Sequence, residues 1–264
     1  MNKKVVWLCE SAIMIAAATV LSIIAIIKMP FGGDVTACSM LPIILVAYRY
    51  GVKKGLFVGF IYGIVQMLLG FNNLSYATTL TAAFMIVAFD YLFAFGVLGF
   101  AGAFKKSGNK GIAMGSILVC FLRYICHVIS GCTVWAGVSI PTADGLKYSL
   151  VYNAAYMIPE SIVTIAVIVY LASILDLSNE RIGRITKSSE KTSIKDILKP
   201  ISSLLLIFAA SFDAVLIFSS IQTASGFNIA NIKSAPISLM IIVTVSALII
   251  SAIIYLIGFK AKNR

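Results

Sequence analysis

The chain has 264 residues, 60% of them hydrophobic and only 12% charged, with a net charge of +11 and a mean hydropathy of +1.01. A soluble domain is nearer half apolar and a quarter charged, so a water-exposed globular fold is excluded. The basic residues fall in short patches between apolar runs, not on one contiguous face, which argues against nucleic-acid binding.

The chain opens Met1-Asn-Lys-Lys and continues into an apolar run, Val5–Ile27. That run is too long for a signal-peptide core and has no small-residue exit, so it reads as a retained first helix. Further apolar runs follow at Met40–Tyr48, Gly55–Leu69, Leu80–Phe104, Ile112–Gly137, Tyr148–Leu175, Ile201–Ile221 and Ala235–Phe259. A bilayer-spanning helix needs about 20 apolar residues. Eight crossings result if the short second run also crosses. With the N-terminus inside, the inner segments hold 17 of the 21 Lys and Arg residues. The outer loops hold three, Lys28, Lys147 and Lys233, and Arg123 lies within a span. Cytoplasmic loops are enriched in Lys and Arg, so both termini are expected in the cytoplasm of a prokaryotic cell, with the protein in the cell membrane. The polar stretch 176–200 reads as a cytoplasmic linker, with a short amphipathic helix at Ser193–Leu198. It divides a six-helix unit (1–175) from a two-helix tail (201–264). The sequence shows no internal repeat. The five cysteines form no CxxC and no zinc-type spacing, so they read as small apolar residues.

Helix association in lipid depends on close backbone approach. Gly51, Gly55, Gly59 and Gly63 form one stripe on the third helix, and Gly96, Gly99 and Gly102 line the fourth. The first helix has Ala12 and Ala16 at the same four-residue spacing.

Ionisable residues inside a membrane are costly and mark functional sites by default. Here they are Glu10, Asp90, Arg123, His127, Glu160 and Asp213. Glu10 lies near the inner interface, solvated or paired with Lys3 or Lys4, and Asp213 has no evident partner. Arg123 and His127 share a helix face at i and i+4, and Arg123 could pair with Asp90 or Glu160. Asp90, His127, Trp135, Tyr148 and Asn153 can all face the outer half of one bundle. Alternatively, Trp135 and Tyr148 are only an interfacial aromatic belt. A carboxylate, an imidazole, an amide and aromatic rings together suit a flat, cationic heteroaromatic solute. The chain has no Walker sequence, so it does not itself hydrolyse ATP.

Four segments bear a family resemblance. They are Gly33-Asp-Val-Thr with Leu41-Pro-Ile-Ile-Leu-Val-Ala-Tyr-Arg-Tyr-Gly51; Asp90-Tyr-Leu-Phe-Ala-Phe-Gly96; Arg123-Tyr-Ile-Cys-His-Val-Ile-Ser-Gly131 with Trp135; and Tyr148-Ser-Leu-Val-Tyr-Asn-Ala-Ala-Tyr-Met-Ile-Pro-Glu160. Over roughly residues 1–175 the chain resembles the thiamine-specific S-components of energy-coupling factor (ECF) transporters, the ThiT family. The resemblance implies an all-α membrane protein with a six-helix substrate-binding bundle, here extended by two C-terminal transmembrane helices. It implies thiamine as ligand, with Asp90, Tyr91, His127, Trp135, Tyr148 and Asn153 at the site. It implies Ala12 and Ala16 as contacts for a coupling transmembrane protein, which works with two ATPase subunits. The chain itself would need no cofactor, because ATP is used only by those partners. Where members have a tryptophan in the loop after the first helix, Lys28–Ser39 has Phe31 instead. The competing readings are an S-component for another vitamin such as riboflavin, a ligand-free scaffold, and an intramembrane enzyme using His127 and Ser130. The last has no G-x-S-x-G to support it.

Overall fold

The computed structural model describes residues 2–29, 33–135, 143–177, 183–184, 194–223, 226–227 and 229–260. Helix α1 (Lys3–Ile23) starts where the Asn2 side chain accepts the Lys4 N–H at 3.0 Å, satisfying a first-turn donor that has no partner within the helix. It stops one turn short of the expected Ile27. Ala25–Lys28 (β1) instead pairs antiparallel with Asp34–Thr36 (β2). The isoleucines here are as apolar as those of a helix, but their backbone groups are satisfied across a hairpin.

Helix α2 (Leu41–Tyr50) is ten residues long and every residue from Leu41 to Tyr48 is buried. At 1.5 Å per residue it reaches about 15 Å, half of a hydrocarbon core of about 30 Å. A helix wrapped by protein need not match the thickness of the bilayer. Its C-cap Gly51 has φ 87°, a backbone conformation that glycine adopts without a Cβ penalty.

Helix α3 (Val52–Leu69) lies on the long span α4 (Leu80–Ser107). The glycine stripe is their contact. A Cβ on Gly59 would sit 2.5 Å from Phe95 O, one on Gly63 2.7 Å from Tyr91 O, and one on Gly55 2.9 Å from the Gly99 Cα. Helices α5 (Gly108–Trp135) and α6 (Ala143–Ile174) pack against each other. Glu10, expected beside Lys3 or Lys4, instead reaches α2. It pairs with Arg49 at 2.6 Å and accepts the Tyr50 hydroxyl at 2.6 Å. Arg49 sits in the last turn of α2, where its charge also complements the helix dipole. Ala12 and Ala16 are both exposed on α1.

The chain divides into two compact units, Met1–Arg184 and Ile185–Arg264. The second unit consists mainly of α7 (Ile194–Ile221) and α8 (Ile237–Lys260). The expected amphipathic helix Ser193–Leu198 is not a separate element. Its residues from Ile194 are the first turns of α7, and Ser193 lies outside the described residues. Polar pairs lock the two helices together: Ser202 with Ser251, and the Thr244 hydroxyl donating to Asp213. Among the described residues, seven helices are long and apolar enough to cross a membrane, which makes this a multi-pass α-helical membrane protein. Among the described residues the strands form three short hairpins.

Candidate functional site

The first unit encloses a cavity of about 390 Å³, within the size range of small-molecule sites. Its walls come from α1, the β1–β2 hairpin, α3, α4, α5 and α6. Asp90 and Tyr91 both line it, although adjacent residues of an α-helix point about 100° apart. The stretch that carries them, Ile86–Leu92 within α4, is π-helical, a geometry that adds a residue to the turn and recurs at functional sites.

Asp90 is the hub of one polar cluster. Its Oδ1 lies 2.8 Å from His127 Nδ1, and its Oδ2 accepts the Ser130 hydroxyl at 2.6 Å. His127 and Ser130, one turn apart on α5, thus both serve the same carboxylate. Ser130 donates to the carboxylate and is not aimed at the imidazole as an activated nucleophile would be, so the reading as an intramembrane enzyme has no geometric support. His127 is 8% exposed, and its Nε2 is buried without a hydrogen-bond partner among the described residues. A buried polar atom left unpaired in a cavity wall is available to a ligand.

Asn153 on α6 lies beside this cluster. Its amide donates to Ser149 O at 2.9 Å and to His127 O at 3.3 Å, and its carbonyl accepts the Tyr156 hydroxyl at 2.7 Å. Tyr156 meets the His127 ring edge-on at 6.0 Å. Tyr91 is held from the other side: its hydroxyl donates to Gly70 O at 2.8 Å and accepts from Asn73 at 3.0 Å. Its ring therefore fastens the α3–α4 connection while lining the cavity.

A second polar cluster is more deeply buried. Arg123 pairs with Glu160 at 3.4 Å, with Glu160 only 1% exposed, and the Arg123 guanidinium also lies 4.6 Å from the Phe95 ring centroid. Glu160 Oε1 accepts the Thr36 hydroxyl at 2.5 Å, and the Ser39 hydroxyl lies 3.3 Å from the same oxygen. A buried carboxylate requires this many donors, and here they come from Arg123 on α5, Thr36 at the end of β2 and Ser39 just before α2. At the same hairpin the Gly33 N–H donates to the Tyr152 hydroxyl at 3.1 Å.

Of the sequence-derived site residues, the structure thus gathers Asp90, Tyr91, His127 and Asn153 around one cavity. Tyr148 does not line it. It stacks on Tyr152, which does, at 5.9 Å and 12° between rings. Trp135 ends α5, and its side chain, like Phe31, lies outside the described residues. The sequence reading missed Asp34, Thr36, Ser39, Tyr152 and Tyr156. Glu160 offered a signal for two of these: Arg123 alone leaves a buried carboxylate short of donors, and hydroxyl residues near the apolar segments were candidates to supply them.

Residues 8–178 match the family model for thiamine transporter protein (Thia_YuaJ). Over 184 residues the chain is 35% identical to the thiamine transporter ThiT of Bacillus subtilis, covering 64% of this chain and 92% of that protein. It is 26% identical over 190 residues to the thiamine transporter ThiT of Lacticaseibacillus paracasei, covering 66% of this chain and 90% of that protein. A solved structure of ThiT from Listeria monocytogenes has the same fold, with a TM-score of 0.54 at 24% identity over 65% of this chain and 96% of that one.

Proposed function

Because this chain belongs to the thiamine transporter family, we propose that it binds thiamine in the cavity of its first unit and serves as the substrate-binding subunit of an importer. Membership in a transporter family sets it apart from enzymes. In this reading the cavity receives thiamine from outside the cell. Both termini lie in the cytoplasm, and the membrane is the cell membrane. Asp90, His127 and Asn153 supply hydrogen bonds to the aminopyrimidine, Tyr91 and Trp135 supply aromatic surface around the ligand, and Tyr148 backs that surface by stacking on Tyr152. Ala12 and Ala16, exposed on α1, offer a close-approach surface to a coupling transmembrane protein. That protein would work with two ATPase subunits, which alone consume ATP.

One observation supports this reading above the rest: the engaged Asp90–His127–Ser130 cluster opens into a cavity that Tyr76, Tyr91, Tyr152 and Tyr156 also line. Carboxylate, imidazole and ring faces together match a molecule that is part hydrogen-bonding heterocycle and part aromatic cation. The test is a thiamine titration of the detergent-purified chain, followed by intrinsic fluorescence and by calorimetry. The chain has two tryptophans, Trp7 and Trp135. Saturable quenching with sub-micromolar affinity, abolished in Trp135→Phe, is expected. Silence by both methods would refute thiamine as the ligand.

A further inference from the structure

Two carboxylates line the cavity, and they differ in how far they are engaged. Asp90 has both oxygens occupied, by His127 at 2.8 Å and Ser130 at 2.6 Å. Asp34 also lines the cavity. Among the described residues its side chain accepts no hydrogen bond and closes no ion pair.

The hairpin holds Asp34 in place. Across the ladder its Cα partner is Lys28, whose side chain is exposed. The neighbouring Gly33 is tied on both sides: its N–H donates to Tyr152, and its carbonyl accepts the Met29 N–H at 2.7 Å. A Cβ on Gly33 would sit 2.7 Å from the Tyr156 ring, so this end of the hairpin is packed tightly against the tyrosine wall. Asp34 is consequently a fixed, half-buried anion against the ligand space, and among the described residues it is Lys28 on the neighbouring strand that offsets its charge. Burial pushes its acid above the usual aspartate range. Lys28 opposes that shift and Glu160 adds to it.

We infer that Asp34 is the residue by which the cavity selects a positively charged ligand. Asp90, with both oxygens engaged, supplies hydrogen-bond geometry instead. The inference rests on the proposed binding of thiamine, whose thiazolium ring is a permanent cation and whose aminopyrimidine is neutral.

The experiment is calorimetric titration of the full chain in detergent, as wild type, Asp34→Asn and Asp90→Asn. Each is titrated with thiamine and with the neutral analogue in which carbon replaces the thiazolium nitrogen. Asp34→Asn is expected to weaken thiamine about tenfold and the neutral analogue less than about twofold, the scale of one screened charge pair. Asp90→Asn is expected to weaken both ligands by a similar factor. Asn matches Asp in shape, and among the described residues Asp34 has no hydrogen bond or ion pair to lose, so the Asp34→Asn protein should melt no lower than wild type. Equal effects of Asp34→Asn on the two ligands, or no effect on either, would overturn the inference while leaving thiamine binding intact. A wild type that binds neither ligand would overturn the proposed function and this inference with it.

Discussion

Replacing Glu160 by glutamine preserves the shape of the side chain and removes one charge from the most deeply buried polar cluster of the first unit. The new amide can still accept the Thr36 hydroxyl, which now lies 2.5 Å from Oε1. Arg123, whose side chain is only 9% exposed, would be left with no counter-charge. Breaking a buried pair by removing one partner costs about 3–5 kcal/mol. The contact of Arg123 with the Phe95 ring persists in both proteins and does not offset the loss. For a unit of this size each kcal/mol lowers the melting temperature by about 2–4 °C, so a loss of about 3 kcal/mol predicts a drop of about 6–12 °C. Thermal unfolding in detergent, followed by intrinsic fluorescence, measures it. The double variant Arg123→Gln/Glu160→Gln removes both charges and should recover most of the loss. A single variant melting within about 2 °C of wild type, or a double variant whose loss equals the sum of the singles, would refute the reasoning.

Asp90→Asn surrenders the charge-assisted bonds to His127 and Ser130, which should weaken thiamine by about 2 kcal/mol, roughly 30-fold in Kd by calorimetry. Gly63→Ala would place a methyl 2.7 Å from Tyr91 O and push α3 off the π-helical turn, a cost of about 1–3 kcal/mol visible in the same melting assay. Gly96→Ala meets no atom of another element within 4 Å and should be neutral or stabilising by up to about 1 kcal/mol; equal destabilisation by the two alanines would show that the glycine contacts are misplaced. Asp34 faces Lys28 on β1 and Glu160 and Tyr152 on α6. Its raised acid favours the protonated form in the folded state, so its stabilising contribution is complete below the ordinary value of 3.8 and is lost as pH rises through the raised one. Melting temperature relative to Asp34→Asn should fall across that window, while thiamine affinity should rise across it as the carboxylate ionises; flat profiles for both would contradict this assignment.

Much of the fold was legible because lipid imposes a length on each helix, and hydropathy measures length. The close contacts of Gly55, Gly59 and Gly63 followed from their spacing, because only one helix face repeats every four residues. The meeting of Asp90, His127 and Asn153 followed from helix order and depth. Legibility failed where the chain leaves helical periodicity. Ile24 to Ile27 are apolar in either a helix or a strand, so the end of α1 was invisible. The hairpin that brings Asp34, Thr36 and Ser39 inward is a tertiary event, with no local signal beyond a few polar residues in a loop. Glu10 was read against its nearest neighbours in sequence, while its partners, Arg49 and Tyr50, lie 39 and 40 residues away. The π-helical stretch of α4 likewise leaves no mark on composition.

That stretch makes the span unusually sensitive to its own length. Deleting one residue from Ile86–Leu92 would let the backbone ladder return to α-helical bonding and rotate the flanking side chains by about 100°. Asp90 would then swing off His127 without a single site residue having been exchanged. A one-residue gap here, between this chain and a relative, signals a changed alignment of the acid with the imidazole. The same gap in the 70–79 connection would instead disturb Gly70 and Asn73, the partners of the Tyr91 hydroxyl.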